Sequence, residues 1–153
     1  MIKANIVLDK KIWEKRLKKP EIYFKKKLNK LSKLSTFKNK NQEFTVMLTN
    51  NKKMKDLNLK FRNKNVSTDV LSFPLKFKLK NKIYLGDIAI SFEIINKRSK
   101  SSSFDHELDK MWIHGYLHLL GHDHKKDKDY YLMKRKENLI FKKLNKINWT
   151  LFN

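Results

Sequence analysis

Four of the chain's five histidines lie in one short segment, IHGYLHLLGHDH, at positions 113–124. His114 and His118 are four residues apart, so on a helix both imidazoles project from the same face, one turn apart. That spacing is suited to chelating a metal ion. His124 would lie about 15 Å from His114 along an unbroken helix, too far to share an ion whose bonds to nitrogen are about 2.0–2.1 Å long. The helix must therefore end, and the chain turn back, for His124 to contribute.

Gly121 lies where such a turn is required, because glycine adopts a positive φ at a helix C-terminus without steric cost. We therefore predict that His114, His118 and His124 bind one metal ion per chain. An unbroken helix would offer a second arrangement, with His122 in place of His124, although His114 and His122 would then be about 12 Å apart. Three neutral imidazoles favour Zn²⁺, and nickel, copper and iron are compatible with the same ligands. Such a site keeps one coordination position open for water, as catalytic zinc sites do.

The segment differs from a metalloprotease motif at one position. The spacing of the predicted ligands matches that of metzincin zinc proteases, whose first histidine is followed by a glutamate that acts as general base. Gly115 occupies that position here, which disfavours peptide hydrolysis. Asp123 and His106 are candidates for a hydrogen bond that orients a ligand. Because the chain has no cysteine, disulfide frameworks, thiolate zinc fingers and cysteine nucleophiles are excluded.

The chain is strongly basic, with 37 Lys and Arg against 15 Asp and Glu and a formal net charge of +22. Of these cations 33 are Lys and 4 are Arg, a skew that an AT-rich coding bias also produces. A charge of this size nevertheless attracts phosphate backbones, so we expect a nucleic-acid partner. Phe73, Tyr84 and Tyr116 are candidates for stacking on unpaired bases. The sequence has no run of 18 apolar residues and no signal peptide, so we expect a cytoplasmic protein with no membrane partner.

The rest of the sequence predicts the strands and helices that must position these residues. Apolar patterning predicts four strands, at residues 2–8, 44–48, 69–73 and 83–90. A basic segment, residues 76–82, is predicted to connect the last two strands. A helical segment around Trp13 precedes Pro20. Periodicity and capping residues predict further helices that begin near Pro20, at Asn50 or Asn51, at Ser103 and at Asp129.

The sequence also predicts the buried face of one helix and the ends of two others. The helix at Pro20 carries an apolar stripe that should face inward, made of Ile22, Phe24, Leu28, Leu31 and Leu34. The helix at Ser103 should end at Gly121, and the last helix should reach Ile147. Together these elements predict one α+β domain over residues 1–153, with a small mixed sheet of about four strands, about five helices and a metal site at the end of a central helix.

Four segments of the chain resemble the YbeY family of bacterial single-strand-specific endoribonucleases, which act in ribosomal RNA maturation. HGYLHLLGHDH at 114–124 is similar to the family's HGxLHLxGYDH segment and departs from it only at His122, where the family usually has Tyr. STDVLSFP at 67–74 and LGDIAIS at 85–91 are similar to two further family segments. LNLKFR at 57–62 resembles the segment that carries a functionally important arginine, which is Arg62 here.

The resemblance implies a zinc-dependent hydrolase of RNA phosphodiesters that acts in 16S rRNA 3′-end maturation and ribosome quality control. Zn²⁺ would be bound by the three predicted histidines, and the Arg62 guanidinium could hold two phosphate oxygens. Either a metal-activated water or the RNA 2′-hydroxyl can be the nucleophile. The implied partners are ribosomal RNA or the small ribosomal subunit, with ribosomal proteins or an assembly GTPase besides.

Two other functions are compatible with the same residues. The first is a non-catalytic ribosome assembly factor that binds rRNA through a basic domain stabilised by a metal. The second is a metal-dependent hydrolase of peptides or small molecules, which shares the open zinc position but does not use the basic surface.

Overall fold

The computed structural model describes residues 1–146, which form an α+β fold with a mixed four-stranded sheet and five α-helices, as predicted. Ile147, the predicted end of the last helix, lies outside the described residues. None of the helices within residues 1–146 has the length and apolarity needed to cross a bilayer. The elements are β1 (Ile2–Leu8), α1 (Pro20–Ser32), β2 (Gln42–Thr49), α2 (Asn51–Arg62), β3 (Val70–Leu79), β4 (Lys82–Ser91), α3 (Phe92–Arg98), α4 (Phe104–Leu119) and α5 (Asp127–Asn145).

The sheet has the order β1-β2-β4-β3, in which β1, β2 and β4 are parallel and β3 is an antiparallel edge strand. The helices α1, α4 and α5 pack on one face through the main core. The helix α2 covers part of the other face, where Met54 packs against Leu71 and Ala89. Helices therefore pack on both faces of the sheet, close to the N-terminal half of β3.

The basic segment at residues 76–82 is not the connection that we predicted. It belongs to a β-hairpin in which β3 continues to Leu79 and β4 starts at Lys82, with Leu79 opposite Lys82. The tight turn is made possible by Lys80, which adopts a positive φ of 50°. Apolar residues alternate with lysines along this part of β3, which is the pattern of a strand that is solvated on at least one face.

The helix α1 begins at Pro20, where the missing N–H has no cost. The predicted stripe is correct for Phe24, Leu28 and Leu31, which are buried, but wrong for Ile22, which is 47% exposed. Tyr23 takes the inward position instead. Its hydroxyl donates a hydrogen bond to the carboxylate of Asp109 on α4.

Asp109 is a buried carboxylate that joins three helices. Besides the Tyr23 hydroxyl of α1, it accepts hydrogen bonds from Lys27 Nζ of α1 (2.5 Å), Trp112 Nε1 of α4 (2.9 Å) and Asn145 Nδ2 of α5 (3.1 Å). Burial, and then the neighbouring Asp109 carboxylate, raise the pKa of Tyr23, so its hydroxyl stays protonated and donates. This network fixes α5 against α4, and both helices contribute to the site described next.

Candidate metal centre

The helix α4 is fixed at both ends by hydrogen bonds that the sequence predicts. At its N-terminus, Ser103 Oγ accepts a hydrogen bond from the backbone N–H of His106 (3.2 Å). At its C-terminus, Gly121 adopts a φ of 97°, and its N–H donates to the carbonyl of His118 (2.9 Å). The N–H of His122 donates to the carbonyl of Leu117 (3.0 Å), which completes a Schellman motif. The chain therefore reverses at Gly121, as predicted.

The reversal brings together the three histidines predicted as ligands. One ring nitrogen from each of His114, His118 and His124 lies within 4.8 Å of the others. The ring centroids are 4.6 Å apart for His114 and His118, 5.0 Å for His118 and His124, and 5.6 Å for His114 and His124. At these distances the three rings could hold one metal ion. The rings of His114 and His118 are half-buried and that of His124 is exposed, so the cluster opens to solvent.

The hydrogen bonds around two of these rings match the needs of a metal ion. His118 Nδ1 faces the backbone carbonyl of His122 (2.9 Å), and His114 Nδ1 faces the Glu137 carboxylate (2.5 Å). Both partners only accept, so both Nδ1 atoms must donate, and in neutral rings both Nε2 atoms then carry lone pairs. Yet these two Nε2 atoms face each other at 3.0 Å. Two lone pairs at that distance repel each other unless a cation lies between them, which fits a metal site.

The pKa of His118 also favours the neutral form of its ring. Its burial, and the neighbouring imidazoles of His114 and His124, lower the pKa of His118 below its ordinary value. The ring is therefore neutral at physiological pH, which is the form that binds a metal.

Glu137 of α5 is the supporting residue that the sequence did not reveal. We predicted Asp123 or His106 as the partner of a ligand, but the His106 ring packs on Phe141 (5.4 Å) and Asp123 Oδ1 accepts from the backbone N–H of His124 (2.7 Å). Burial raises the pKa of Glu137, but the hydrogen bonds and electrostatic attraction of His114 and Lys134 together outweigh burial, so the pKa lies below its ordinary value and the carboxyl stays ionised. Glu137 thus fixes the tautomer of His114 and makes Nε2 a stronger ligand.

Replacing Glu137 by Gln is expected to weaken metal binding about 10- to 100-fold, because a neutral amide oxygen is a weaker acceptor for the Nδ1–H of His114 than a carboxylate. The measurement is a competition titration of the purified protein against a chelator of known affinity. Asn138→Asp on the next position of α5 is the control, and it should leave the metal affinity unchanged. An affinity of the Gln variant equal to that of the original chain would show that Glu137 does not support the site.

The alternative ligand set with His122 is not formed in the structure. The Nε2 atom of His122 lies 3.1 Å from Lys136 Nζ on α5. The side chain is thereby turned towards α5, and only the backbone carbonyl of His122 contacts the cluster, through His118. Burial, and then Lys136, lower the pKa of His122, so this ring is neutral as well.

Gly115 contacts the sheet, which explains why the protease glutamate has no equivalent here. A Cβ atom at this position would lie 2.9 Å from Ile88 Cγ2 of β4 and 3.2 Å from Ser72 Oγ of β3. Ser72 also donates a hydrogen bond to the Gly115 carbonyl (3.2 Å). A glutamate would therefore push α4 off the sheet, and its carboxylate would not point towards the ligand cluster.

Arg62, the predicted phosphate-binding residue, lines the same cleft as His118. It is the last residue of α2, and Lys64, Ser72 and Lys125 line the cleft beside it. Within residues 1–146, Arg62 has no hydrogen bond or ion pair to another side chain. Its guanidinium is therefore free to bind an anion next to the histidine cluster. Thr68 Oγ1 donates a hydrogen bond to Asp69 Oδ1 (3.3 Å), and Asp69 also forms an ion pair with Arg98 (2.8 Å).

Comparison with known proteins decides the family. The model of the family described as "Endoribonuclease YbeY" matches residues 8–145. The chain belongs to the YbeY family of endoribonucleases. An Endoribonuclease YbeY from Pelagibacter ubique is 46% identical over 146 residues, which cover 93% of this chain and 95% of that protein. One from Ehrlichia canis is 35% identical over 150 residues, with 96% and 93% covered. A solution structure of a Thermotoga maritima protein matches with a TM-score of 0.60 and 26% identity, covering 94% of this chain and 89% of that one.

The segments that resemble the YbeY family meet around this cleft. Residues 67–74 provide Ser72 and Pro74 in its wall, and residues 57–62 end with Arg62 at its edge. Residues 85–91 form the part of β4 on which Gly115 packs, and residues 114–124 carry the histidine cluster. Segments far apart in the sequence thus build one site.

Proposed function

We propose that this chain is a zinc-dependent endoribonuclease that hydrolyses phosphodiester bonds of single-stranded RNA. Its role would be in 16S rRNA 3′-end maturation and ribosome quality control in the cytoplasm. The observation that carries the proposal is the pair of Nε2 atoms of His114 and His118, which lie 3.0 Å apart and beside His124 in a chain of an endoribonuclease family. Three imidazoles suit Zn²⁺ in number and in kind.

Each group of the cleft has a distinct task in this proposal. His114, His118 and His124 would hold the ion, which supplies Lewis acidity and lowers the pKa of a bound water. Arg62 binds the non-bridging oxygens of the phosphate that is attacked and stabilises the charge that develops on them. Glu137 keeps His114 in the ligating tautomer. The exposed edge at His124 leaves room for a strand of RNA to approach.

The charge of the chain supports a polyanionic substrate. A formal net charge of +22 attracts RNA and makes binding weaken as salt increases. The proposed partners are ribosomal RNA within the small ribosomal subunit, with ribosomal proteins or an assembly GTPase as further partners. Two observations favour a catalyst over an assembly factor that only binds rRNA: the chain belongs to a family of endoribonucleases, and its histidine cluster is open to solvent at His124.

The test is cleavage of a single-stranded RNA by highly purified protein before chelation, after chelation, and after Zn²⁺ is returned. Activity should be lost on chelation and restored by the metal. In the same assay, Arg62→Ala should lower kcat about 100-fold, as loss of a charge-stabilising group does, with the metal content unchanged because Arg62 is not a ligand.

Two results would contradict this proposal. Cleavage that persists after complete metal removal would exclude a metal-dependent reaction. If the protein binds RNA and melts at a lower temperature without metal but never cleaves, the assembly-factor function would be correct instead.

A further inference from the structure

We propose that the outer part of the β3–β4 hairpin, residues 75–84, binds unpaired RNA and guides it into the metal cleft. We call this segment the basic hairpin. The proposal rests on the proposed function in that it takes the substrate to be RNA. It assigns a binding surface outside the cleft, to residues that have no part in the metal centre.

The basic hairpin is exposed, and it combines apolar with basic side chains. Every residue from Pro74 to Asn81 is exposed. Phe77 is 46% exposed, although a large aromatic ring is ordinarily buried. The hairpin carries the lysines Lys76, Lys78, Lys80 and Lys82 and no acidic residue. A surface with this composition fits a partner that is both negatively charged and rich in flat apolar rings, which describes single-stranded nucleic acid.

Phe77 and Tyr84 form a ready stacking surface. They are opposite each other in the β3–β4 ladder, with ring centroids 5.1 Å apart and an interplanar angle of 32°. The Tyr84 hydroxyl is fixed by hydrogen bonds with Thr45 Oγ1 (2.6 Å) and Asp87 Oδ1 (2.5 Å). Tyr84 therefore holds its ring in place and supports that of Phe77, so an unpaired base can stack without the cost of ordering either side chain. Tyr116, also considered for stacking, is fully buried and is excluded.

The charges of the basic hairpin are available to phosphates. Lys82 is paired with Glu43, whereas Lys76, Lys78 and Lys80 have no ion pair with any residue in the range 1–146. Lysine side chains are long and flexible, so their ammonium groups can reach phosphates on either side of a narrow hairpin. RNA that stacks on Phe77 would therefore have its backbone within reach of three free cations.

The hairpin is continuous with the metal cleft through β3. Ser72 and Pro74, which precede the basic hairpin on the same strand, line the cleft together with Arg62 and His118. Phe73 lies between them and packs on Phe61 with ring centroids 5.2 Å apart. A strand of RNA that lies along β3 would thus pass from the hairpin directly to the proposed reaction site.

The observations disfavour a second copy of the chain as the occupant. Addition of another strand to the β3 edge would need a regular, uncharged ladder, but the register shifts between Pro74 and Phe77, and lysines alternate along the edge. Both features are known to block edge-to-edge pairing. RNA satisfies the charge as well as the aromatic surface.

The experiment measures binding of a short fluorescent oligouridylate with 2′-O-methyl groups, which resist cleavage, by anisotropy with the full chain. Phe77→Ala should weaken binding about fivefold or more, the effect of one lost base stack, and Phe77→Tyr should retain the affinity. Ile22→Ala, at another exposed apolar residue, is the matched control and should bind as the original chain does. A duplex of the same length should show no dependence on Phe77.

A second pair of variants tests the lysines at equal total charge. The triple change Lys76→Gln, Lys78→Gln and Lys80→Gln should make the slope of log affinity against log salt less steep by about two, as expected for three lost phosphate contacts on a single strand. A triple change on α1 and at the residue that follows it removes the same charge elsewhere and should leave the slope unchanged; it consists of Lys25→Gln, Lys26→Gln and Lys33→Gln.

The outcomes separate this proposal from the proposed function. Unchanged affinity in the Phe77→Ala variant, or an equal effect of the two lysine triples, would overturn the hairpin as an RNA site and leave an acidic protein as the partner that fits it. Binding that depends on the hairpin, in a protein that does not cleave RNA, would support the hairpin and contradict the catalytic function. Cleavage of RNA that does not depend on the hairpin would support the catalytic function and contradict the hairpin as an RNA-binding site.

Discussion

Replacing His118 by Ala is expected to abolish metal-dependent RNA cleavage and stoichiometric metal binding, with the fold retained. His118 provides the central ring of the cluster, with its Nε2 3.0 Å from that of His114 and its centroid 5.0 Å from that of His124. Loss of a residue that only supports a ligand costs about 10- to 100-fold in metal affinity, and loss of a ligand itself should cost more. The remaining two imidazoles cannot hold an ion in a defined geometry.

The measurement combines elemental analysis, RNA cleavage and circular dichroism on the same preparation. His106→Ala is a matched control, since it makes the same substitution on the same helix at a ring that packs on Phe141 rather than in the cluster. The control should keep its metal and its activity. If the His118 variant retained one ion per chain and full cleavage, the three imidazoles would not form the site.

Replacing Asp109 by Ala is expected to destabilise the fold by about 3–5 kcal/mol, the cost of breaking a buried ion pair from one side. The Asp109 side chain is completely buried, and its partner Lys27 is 14% exposed. In the variant the Lys27 ammonium would lose its counter-ion, and the Tyr23 hydroxyl, Trp112 Nε1 and Asn145 amide would lose an acceptor. Unsatisfied buried donors add to the cost.

Urea unfolding of the full chain at neutral pH measures this effect. The control is Lys110→Ala, which breaks the ion pair with Glu107 on the same helix; this lysine is 51% exposed, unlike Lys27. That change should cost less than about 1 kcal/mol. Similar unfolding midpoints for the two variants would mean that the buried network does not stabilise the packing of α1, α4 and α5.

The parts of the site that depend on local sequence were predictable. Two histidines four residues apart share a helix face whatever the fold, and a glycine at the end of the apolar pattern predicts the reversal that delivers His124. The cap at Ser103 and the start at Pro20 follow from equally local rules. In each case the partner atoms lie within a few residues of one another, so the spacing alone determines the geometry.

The contacts between distant segments were not predictable in this way. Glu137 meets His114 across 23 residues, and only the packing of α5 on α4 through Asp109 and Asn145 brings them together. No spacing rule distinguishes Glu137 from the other acidic residues. The basic hairpin is a different case, because Leu75, Phe77 and Leu79 alternate with lysines and so contain the strand signal, which the high charge obscured.

The role of Tyr116 on α4 is a further feature that the sequence alone did not predict. Tyr116 is fully buried, with its hydroxyl donating to Gln42 Oε1 (2.8 Å), because this helix is enclosed on nearly all sides. An aromatic residue beside a metal motif reads equally well as a base-stacking group when only the sequence is known. Only the fold distinguishes the two roles, because Phe44 of β2 and Phe37 pack against the ring of Tyr116.

X-ray absorption spectroscopy of the purified, zinc-loaded chain, with the metal-to-protein ratio measured on the same sample, tests the metal centre most directly. The structure predicts one ion per chain, with three imidazole nitrogens at about 2.0–2.1 Å and an oxygen neighbour in the remaining position. An ion held only by oxygen atoms, or a chain that binds no stoichiometric metal, would contradict the account.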